Sequence, residues 1–190
     1  KTSLINALTG LNQKVGNYPG ITVEKKIGHY KLPNNQQAEI IDLPGTYSLN
    51  PSSEDEQVAV ETLINRQGAY FPDVVVVVSE VSNLKQNLLL FTQVKDLQLP
   101  TILVINMADQ MQRKGISIDL SKLEQLLHTK VVLTSTRKGE GLLALKEAIT
   151  NFKELSVAPC VDMSRLEAIP FGTSESEQRR KQQKETIIRY

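Results

Sequence analysis

An α/β fold, with a mostly parallel sheet and helices on both faces, is the class this sequence predicts. Three observations predict it. Apolar runs of strand length alternate with stretches of helix length, the order that lays parallel strands side by side under crossover helices. Two of the runs end on a polar residue, Asp42 and Asn106, at the carboxyl end of a strand where open α/β sheets place ligands. The length, 190 residues with 40% hydrophobic content, suits one domain with an appendage and supports a genuine core.

The elements follow in order. Residues 1–9 read as a helix with Leu4, Ile5 and Leu8 on one face, closed by Gly10. Gly16, Asn17, Pro19 and Gly20 read as a loop. Thr22 to Tyr30 and Ala38 to Leu43 read as two strands joined by a polar turn at Pro33-Asn34-Asn35. Residues 53–67 read as a helix, with Ser52 or Ser53 as N-cap ahead of acidic Glu54, Asp55 and Glu56. Asp73 to Ser79 reads as a fully buried strand, because five consecutive valines leave no polar face. A helix over about 84–97 leads to a strand at 101–105, then a short helix, a break at Gly115 and a helix over about 119–128. Lys130 to Leu133 is a further strand and 141–154 a further helix. Composition then shifts: 156–173 reads as a linker containing Pro159 and Pro170, and 174–190 as a polar helix ending on Ile187, Ile188 and Tyr190.

Bulk properties exclude several classes. Net charge is +1, so no general field attracts nucleic acid or an anionic membrane, and nucleic acid is not an expected partner. No apolar run approaches the roughly 18 residues of a membrane span. The single Cys160 has no internal disulfide partner and reads as a free, buried thiol. His29 and His128 have no Cys or carboxylate cluster at ligand spacing, so no iron site is expected in this chain.

Three short segments carry chemistry. Lys1-Thr2-Ser3 opens a helix, whose positive end favours phosphate. A phosphate loop needs inward N–H groups, a lysine for the β and γ phosphates and a hydroxyl for Mg²⁺; Lys1 and Thr2 fit the last two roles, and Ser3 is placed for the α-phosphate. Asp42, ending an apolar strand, stands where a Walker-B aspartate holds Mg²⁺ directly or through water. Gly45 can offer its N–H to a γ-phosphate because no side chain blocks approach. Thr22 lies midway between Thr2 and Asp42. Its spacing leaves two readings open, a switch threonine completing the Mg²⁺ shell and a β-branched residue starting a strand. Asn106-Met107-Ala108-Asp109 follows a buried strand. A carboxylate at Asp109 can accept from both N1 and N2 of guanine, donors that adenine lacks there. Thr134-Ser135-Thr136-Arg137 follows the next strand. Ser135, Thr136 and Arg137 occupy the positions of the loop that gives backbone N–H groups to the guanine O6. Together these segments predict a P-loop GTPase fold of the Ras-like or TrmE-Era-like type, binding GTP and GDP. The chain opens at the loop lysine, so the feeding strand and the glycine-rich half of the loop are expected ahead of Lys1.

Two longer runs narrow the reading. Gly16-Asn17-Tyr18-Pro19-Gly20-Ile21-Thr22-Val23-Glu24 and Asp42-Leu43-Pro44-Gly45-Thr46-Tyr47-Ser48-Leu49 resemble the cytosolic G domain of ferrous iron transport protein B. Asn106-Met107-Ala108-Asp109 suits that family better than Ras-like proteins, which carry Lys at the second position. The resemblance covers 1–155 as the G domain, and 174–190 resembles the start of the helical domain that follows it. It implies a module on the cytoplasmic face of a bacterial inner membrane that binds GTP, hydrolyses it slowly and serves a Fe²⁺ transporter. It implies that Gly20, Ile21 and Thr22 contact the nucleotide, and that Lys1 and Thr22 take part in hydrolysis. It also implies K⁺ stimulation through an asparagine whose position precedes Lys1. The partners implied are the guanine nucleotide and the transporter's own membrane domain; a homo-oligomer is compatible with the sequence. Two departures count. Thr46 stands where Ras-type enzymes carry a water-orienting glutamine, which predicts slow turnover. Ser-Thr-Arg replaces Ser-Ala-Lys beside the base. Two other classes stay open: a ribosome- or tRNA-associated GTPase, and a nucleotide-binding scaffold without significant turnover.

Overall fold

The computed structural model describes residues 1–10, 13–18 and 23–160. The chain divides into the units Lys1–Cys160 and Val161–Tyr190. The helix expected over 174–190 and most of the 156–173 linker lie outside the described residues, as do Gly20, Ile21 and Thr22.

The first unit runs α1 (Thr2–Thr9), β1 (Gln13–Asn17), β2 (Glu24–Lys31), β3 (Gln37–Asp42), α2 (Glu54–Ile64), β4 (Val75–Glu80), α3 (Leu84–Asp96), β5 (Thr101–Asn106), α4 (Leu120–Leu127), β6 (Val131–Leu133) and α5 (Leu142–Thr150). Strands β4, β5 and β6 form a parallel sheet with β5 in the middle, in the register Val77↔Leu103↔Val131. Strands β1, β2 and β3 form an antiparallel sheet with β2 in the middle.

Every residue of β5 is buried. Its side chains still alternate, as the pleat requires. Leu103 and Ile105 join a core with Phe91 and Val94 of α3, Leu127 of α4 and Leu63 of α2. Ile102 and Val104 join a second core with Leu4 and Leu8 of α1, Tyr30 of β2, and Leu145 and Ile149 of α5. Helices therefore cover both faces of β5. Phe91 is wholly inaccessible, and truncating such a residue to alanine typically costs about 3–5 kcal/mol.

The helix ends follow from local chemistry. Gly10 adopts the left-handed conformation at φ 63° and returns its N–H to the Asn6 carbonyl, which terminates α1. Ser53 caps α2 by accepting from the Glu56 N–H at 3.3 Å. The Glu56 carboxylate reaches back to the Ser52 N–H and hydroxyl, each at 2.7 Å, a variant of the capping box shifted by one residue. Asp119 caps α4 through the Lys122 N–H at 3.0 Å. The β2–β3 turn is closed by Asn34, which accepts from the Gln36 N–H, while Asn35 takes φ 66°.

Several sequence expectations need correction. Gly16 and Asn17 belong to β1 rather than to a loop, because the β2 ladder pairs them with Lys25 and Glu24. The segment lacks hydrophobic alternation, so periodicity gave no sign of an edge strand. Strand β2 begins at Glu24, since the Val23 carbonyl instead accepts from the Tyr18 N–H at 3.0 Å. In the valine run only Val77 is fully buried, because β4 pairs on one side with β5 and has no second partner among the described strands. Helix α2 stops at Ile64, and α5 stops at Thr150 before a separate 3₁₀ turn at Phe152–Glu154.

Lys95 is a fully buried cation on α3. Its ammonium donates to the carbonyl of His128, the left-handed cap of α4, at 3.1 Å, and also to the Ser156 carbonyl. Burial pushes its pKa down. Nearby Cys160 is a free thiol, half-buried, with Sγ donating to the Leu127 carbonyl at 3.4 Å; burial pushes its pKa up to about 11. Lys95→Met keeps the stem and strips both carbonyls of their donor. Urea unfolding is expected to show a loss of about 2–4 kcal/mol at unchanged m-value. Wild-type stability would mean that the carbonyls find other donors.

Candidate functional site

Each sheet carries part of the predicted set. At the antiparallel sheet, β3 finishes on Asp42 and α1 begins at Thr2. The Lys1 ammonium lies 3.0 Å from Asp42 Oδ1 and donates to the Leu43 carbonyl. The Asp42 side chain is only 10% exposed. The ammonium approaches Oδ1 outside hydrogen-bond geometry, so this buried oxygen has a charge partner but no directional donor. Lys1, Thr2, Asp42 and Gly45 share a cleft of about 380 Å³ with Lys26 and Asp55. A Cβ at Gly45 would meet no protein atom within 4 Å, so the space beside this backbone is open to a ligand. Ser3 is exposed on α1 and is not among the residues lining the cleft.

The donor set at this end is hard oxygen: the Thr2 hydroxyl and the Asp42 carboxylate. A buried carboxylate oxygen lacking a directional donor, in a cleft that Thr2 also lines, fits a small divalent cation such as Mg²⁺.

At the carboxyl ends of β5 and β6, the loops that follow are knitted together. Asn106 is buried, and its Oδ1 accepts from the Thr134 hydroxyl at 3.1 Å and the Thr136 N–H at 3.4 Å. Asp109 Oδ1 accepts from the Ser135 hydroxyl at 2.8 Å. Backbone bonds from Thr134 N–H to Ile105 and from Ala108 N–H to Thr134 complete the join. Met107 sits at φ 65°, a conformation uncommon for a side-chain-bearing residue, and it swings the chain from the strand into the 3₁₀ turn carrying Asp109. Ser135 thus fixes one carboxylate oxygen of Asp109. Arg137 is exposed.

Sequence reasoning missed three contributors. Thr134 was visible only as the residue before the serine, yet its hydroxyl orients Asn106. Gly139 and Gly141, at φ 73° and 76°, let residues 135–140 turn back so that Ser135 and Glu140 exchange backbone hydrogen bonds. Tyr18 and Tyr70 meet edge to face at 6.2 Å, with Lys25 Nζ 4.0 Å from the Tyr70 centroid and bonded to its hydroxyl at 2.5 Å. A G-x-G pair just past a strand was the available signal for the second; the aromatic pair had none.

Two outcomes are expected. A Cβ at Gly141 would lie 2.0 Å from the Leu133 carbonyl oxygen. Gly141→Ala should therefore cost more than about 1 kcal/mol, and amides 134–141 should lose hydrogen-exchange protection. The phenols of Tyr18 and Tyr30 are pushed up to about 12, chiefly by burial. Their folded pKa values exceed the ordinary value near 10, so the stability they contribute is complete below about pH 10 and is lost as pH rises towards about 12. Ultraviolet titration should find two phenols still protonated near pH 11.

Comparison with known proteins places this geometry in a family. Residues 1–149 match the family model described as ferrous iron transport protein B. The Fe(2+) transporter FeoB of Leptospira biflexa serovar Patoc is 43% identical over 150 residues, covering 79% of this chain and 21% of that protein. That of Legionella pneumophila strain Paris is 40% identical over 153 residues, covering 78% of this chain and 20% of its own length. The chain thus spans about one fifth of the length of these relatives. The G domain of the T. maritima FeoB iron transporter matches with a TM-score of 0.72 at 39% identity, over 81% of this chain and 91% of that one. The T. maritima cytosolic domain in its GMPPNP form matches at 0.76 and 35% identity, over 95% of this chain and 67% of that one. The fold is the α/β fold of P-loop GTPase G domains, and the chain belongs to the ferrous iron transport protein B family.

Proposed function

We propose that this chain carries the guanine-nucleotide-binding and slowly hydrolysing module of a bacterial Fe²⁺ transporter. One observation supports it above the others. Asp109 is held by Ser135 on one oxygen, beside a loop anchored to Asn106, at the carboxyl end of the buried strand β5. That arrangement presents a fixed acceptor to the N1 and N2 donors of guanine and has nothing to offer the acceptor edge of adenine. Relatives solved in GDP and GMPPNP forms support the same ligand class.

In the cleft at Asp42, Lys1 exchanges Asp42 and the Leu43 carbonyl for the β and γ phosphates. Thr2 and Asp42 would hold Mg²⁺, with Thr22 joining them when the γ-phosphate is present; the ion, when bound, neutralises charge on the phosphate oxygens. Ser3 supports the α-phosphate, and the Gly45 N–H meets the γ-phosphate. Gly20, Ile21 and Met107 belong to the nucleotide-binding set, and Ser135, Thr136 and Arg137 to the loop that offers backbone N–H groups to the guanine O6. Loss of the γ-phosphate frees the segments of Thr22 and Gly45, the order-to-disorder change expected of such switches.

Thr46 explains the slow step. Its hydroxyl donates to the Ser48 carbonyl at 2.6 Å and accepts from the Ser48 N–H at 3.2 Å. It is engaged in its own turn and carries no amide to orient a water. The module would act at the cytoplasmic face of the membrane on the transporter's membrane domain. Among the described residues no helix is long and apolar enough to cross a membrane.

Phosphate release from GTP and ATP, in K⁺ and in Na⁺, tests the reading on the full-length protein. GTP-selective turnover below about 1 per second, faster in K⁺, is the expected result. Equal use of ATP would overturn it. Asp109→Ala should reduce the preference for GTP over ATP by about a hundredfold while leaving the unfolding midpoint near wild type.

A further inference from the structure

Glu24, Lys25 and Lys26 open β2, and the pleat sends the two lysines to opposite faces. Lys25 is engaged on its side, where Nζ bonds the Tyr70 hydroxyl at 2.5 Å and lies over that ring. Lys26 pairs across the ladder with Asp42, so these two side chains share a face. It is the face of Tyr30 and Ile40, which pack with Leu4 and Leu8 of α1. Lys26 lines the same cleft as Lys1, Thr2, Asp42 and Gly45.

The ion pair of Lys26 is with Glu24, two residues back on the same strand, at 3.6 Å, with side chains 34% and 55% exposed. A pair of that kind contributes little and is easily given up. The cleft itself belongs to the far end of a triphosphate. Asp42 and Gly45 line it, and Ser3, assigned to the α-phosphate, does not. Its cations are Lys1 and Lys26, against the carboxylates of Glu24, Asp42 and Asp55. Carboxylates thus outnumber cations before a nucleotide enters. Each further phosphate adds negative charge to that space, so a cation free to leave Glu24 gains most from the last one.

We infer that Lys26 is a second cation for the terminal phosphate: its ammonium leaves Glu24 and donates to a γ-phosphate oxygen, so that the site favours the triphosphate over the diphosphate. This rests on the guanine-nucleotide reading above. Glu24, more than half exposed, is left to water. The consecutive lysines of β2 therefore divide their work. Lys25 braces Tyr70 on one face, and Lys26 serves the nucleotide on the other.

The Kd values of fluorescent mant-GMPPNP and mant-GDP, both with Mg²⁺, test this on the full-length protein and its Lys26→Met, Lys26→Arg and Lys25→Met variants. Lys26→Met is expected to raise the Kd for mant-GMPPNP about tenfold, the scale of one hydrogen bond between charged groups, and that for mant-GDP less than about twofold. Lys26→Arg, which keeps the charge, should stay near wild type, and Lys25→Met should leave the ratio of the two Kd values unchanged. Added NaCl should weaken mant-GMPPNP binding less steeply in Lys26→Met than in wild type. Equal weakening towards both nucleotides, or an unchanged Kd for mant-GMPPNP, would overturn the inference. A ratio shifted as far by Lys25→Met would show a general effect of charge and overturn it too. Failure of the wild-type protein to bind mant-GMPPNP would instead overturn the guanine-nucleotide reading.

Discussion

The pairing of β5 on both sides, with Ile102 and Val104 on one face and Leu103 and Ile105 on the other, is the constraint from which the remaining structure follows. Its backbone groups are satisfied by β4 and β6, so six successive residues can be buried without an orphaned amide. The polar side chain emerging from its end, Asn106, is then fixed by the same pairing. Thr134 N–H bonds to Ile105 O one residue before the strand ends, which sets the β6 loop where Thr134 and Thr136 can reach Asn106. The geometry around Asn106 is thus an extension of the sheet rather than a loop added to it. This is the form of support that holds a binding group to a small range of positions.

The cleft at Asp42 is built on different physics. Asp42 is carried by an antiparallel sheet whose middle strand places Lys26 directly across from it. Two cationic side chains, Lys1 and Lys26, and three carboxylates, Glu24, Asp42 and Asp55, line the cleft. Lys26 reaches Glu24 at 3.6 Å, an exposed pair of small energetic value, so these side chains can rearrange when an anion enters. The loops after β5 and β6 are therefore held by buried hydrogen bonds and the cleft at Asp42 by exchangeable charges.

Much of this was legible in the sequence, for identifiable reasons. The β5 run and its terminal asparagine were readable because five buried apolar or β-branched residues in succession have few alternatives to a central strand. The acidic N-terminus of α2 was readable from Ser53 and Glu56, although the carboxylate chose Ser52 over Ser53. Strand β1 was not readable. An edge strand with exposed Val15 owes its existence to β2, and local sequence does not record a partner. The Asn106–Thr134 bond was also hidden, because residues 28 apart in sequence meet only through the parallel register of β5 and β6. The left-handed Met107 had no sign either, since nothing in methionine favours that conformation.

The central claim is that Asp109 reads the donor edge of guanine from a fixed position. Displacement of mant-GDP by GDP, inosine diphosphate and ADP tests it most directly, because the three differ only at that edge and its neighbour. GDP should compete best, inosine diphosphate more weakly by about tenfold for the lost N2 donor, and ADP more weakly than GDP by at least about a hundredfold. Competition by ADP within a few-fold of GDP would contradict the assignment of Asn106 and Asp109 as the base-reading pair.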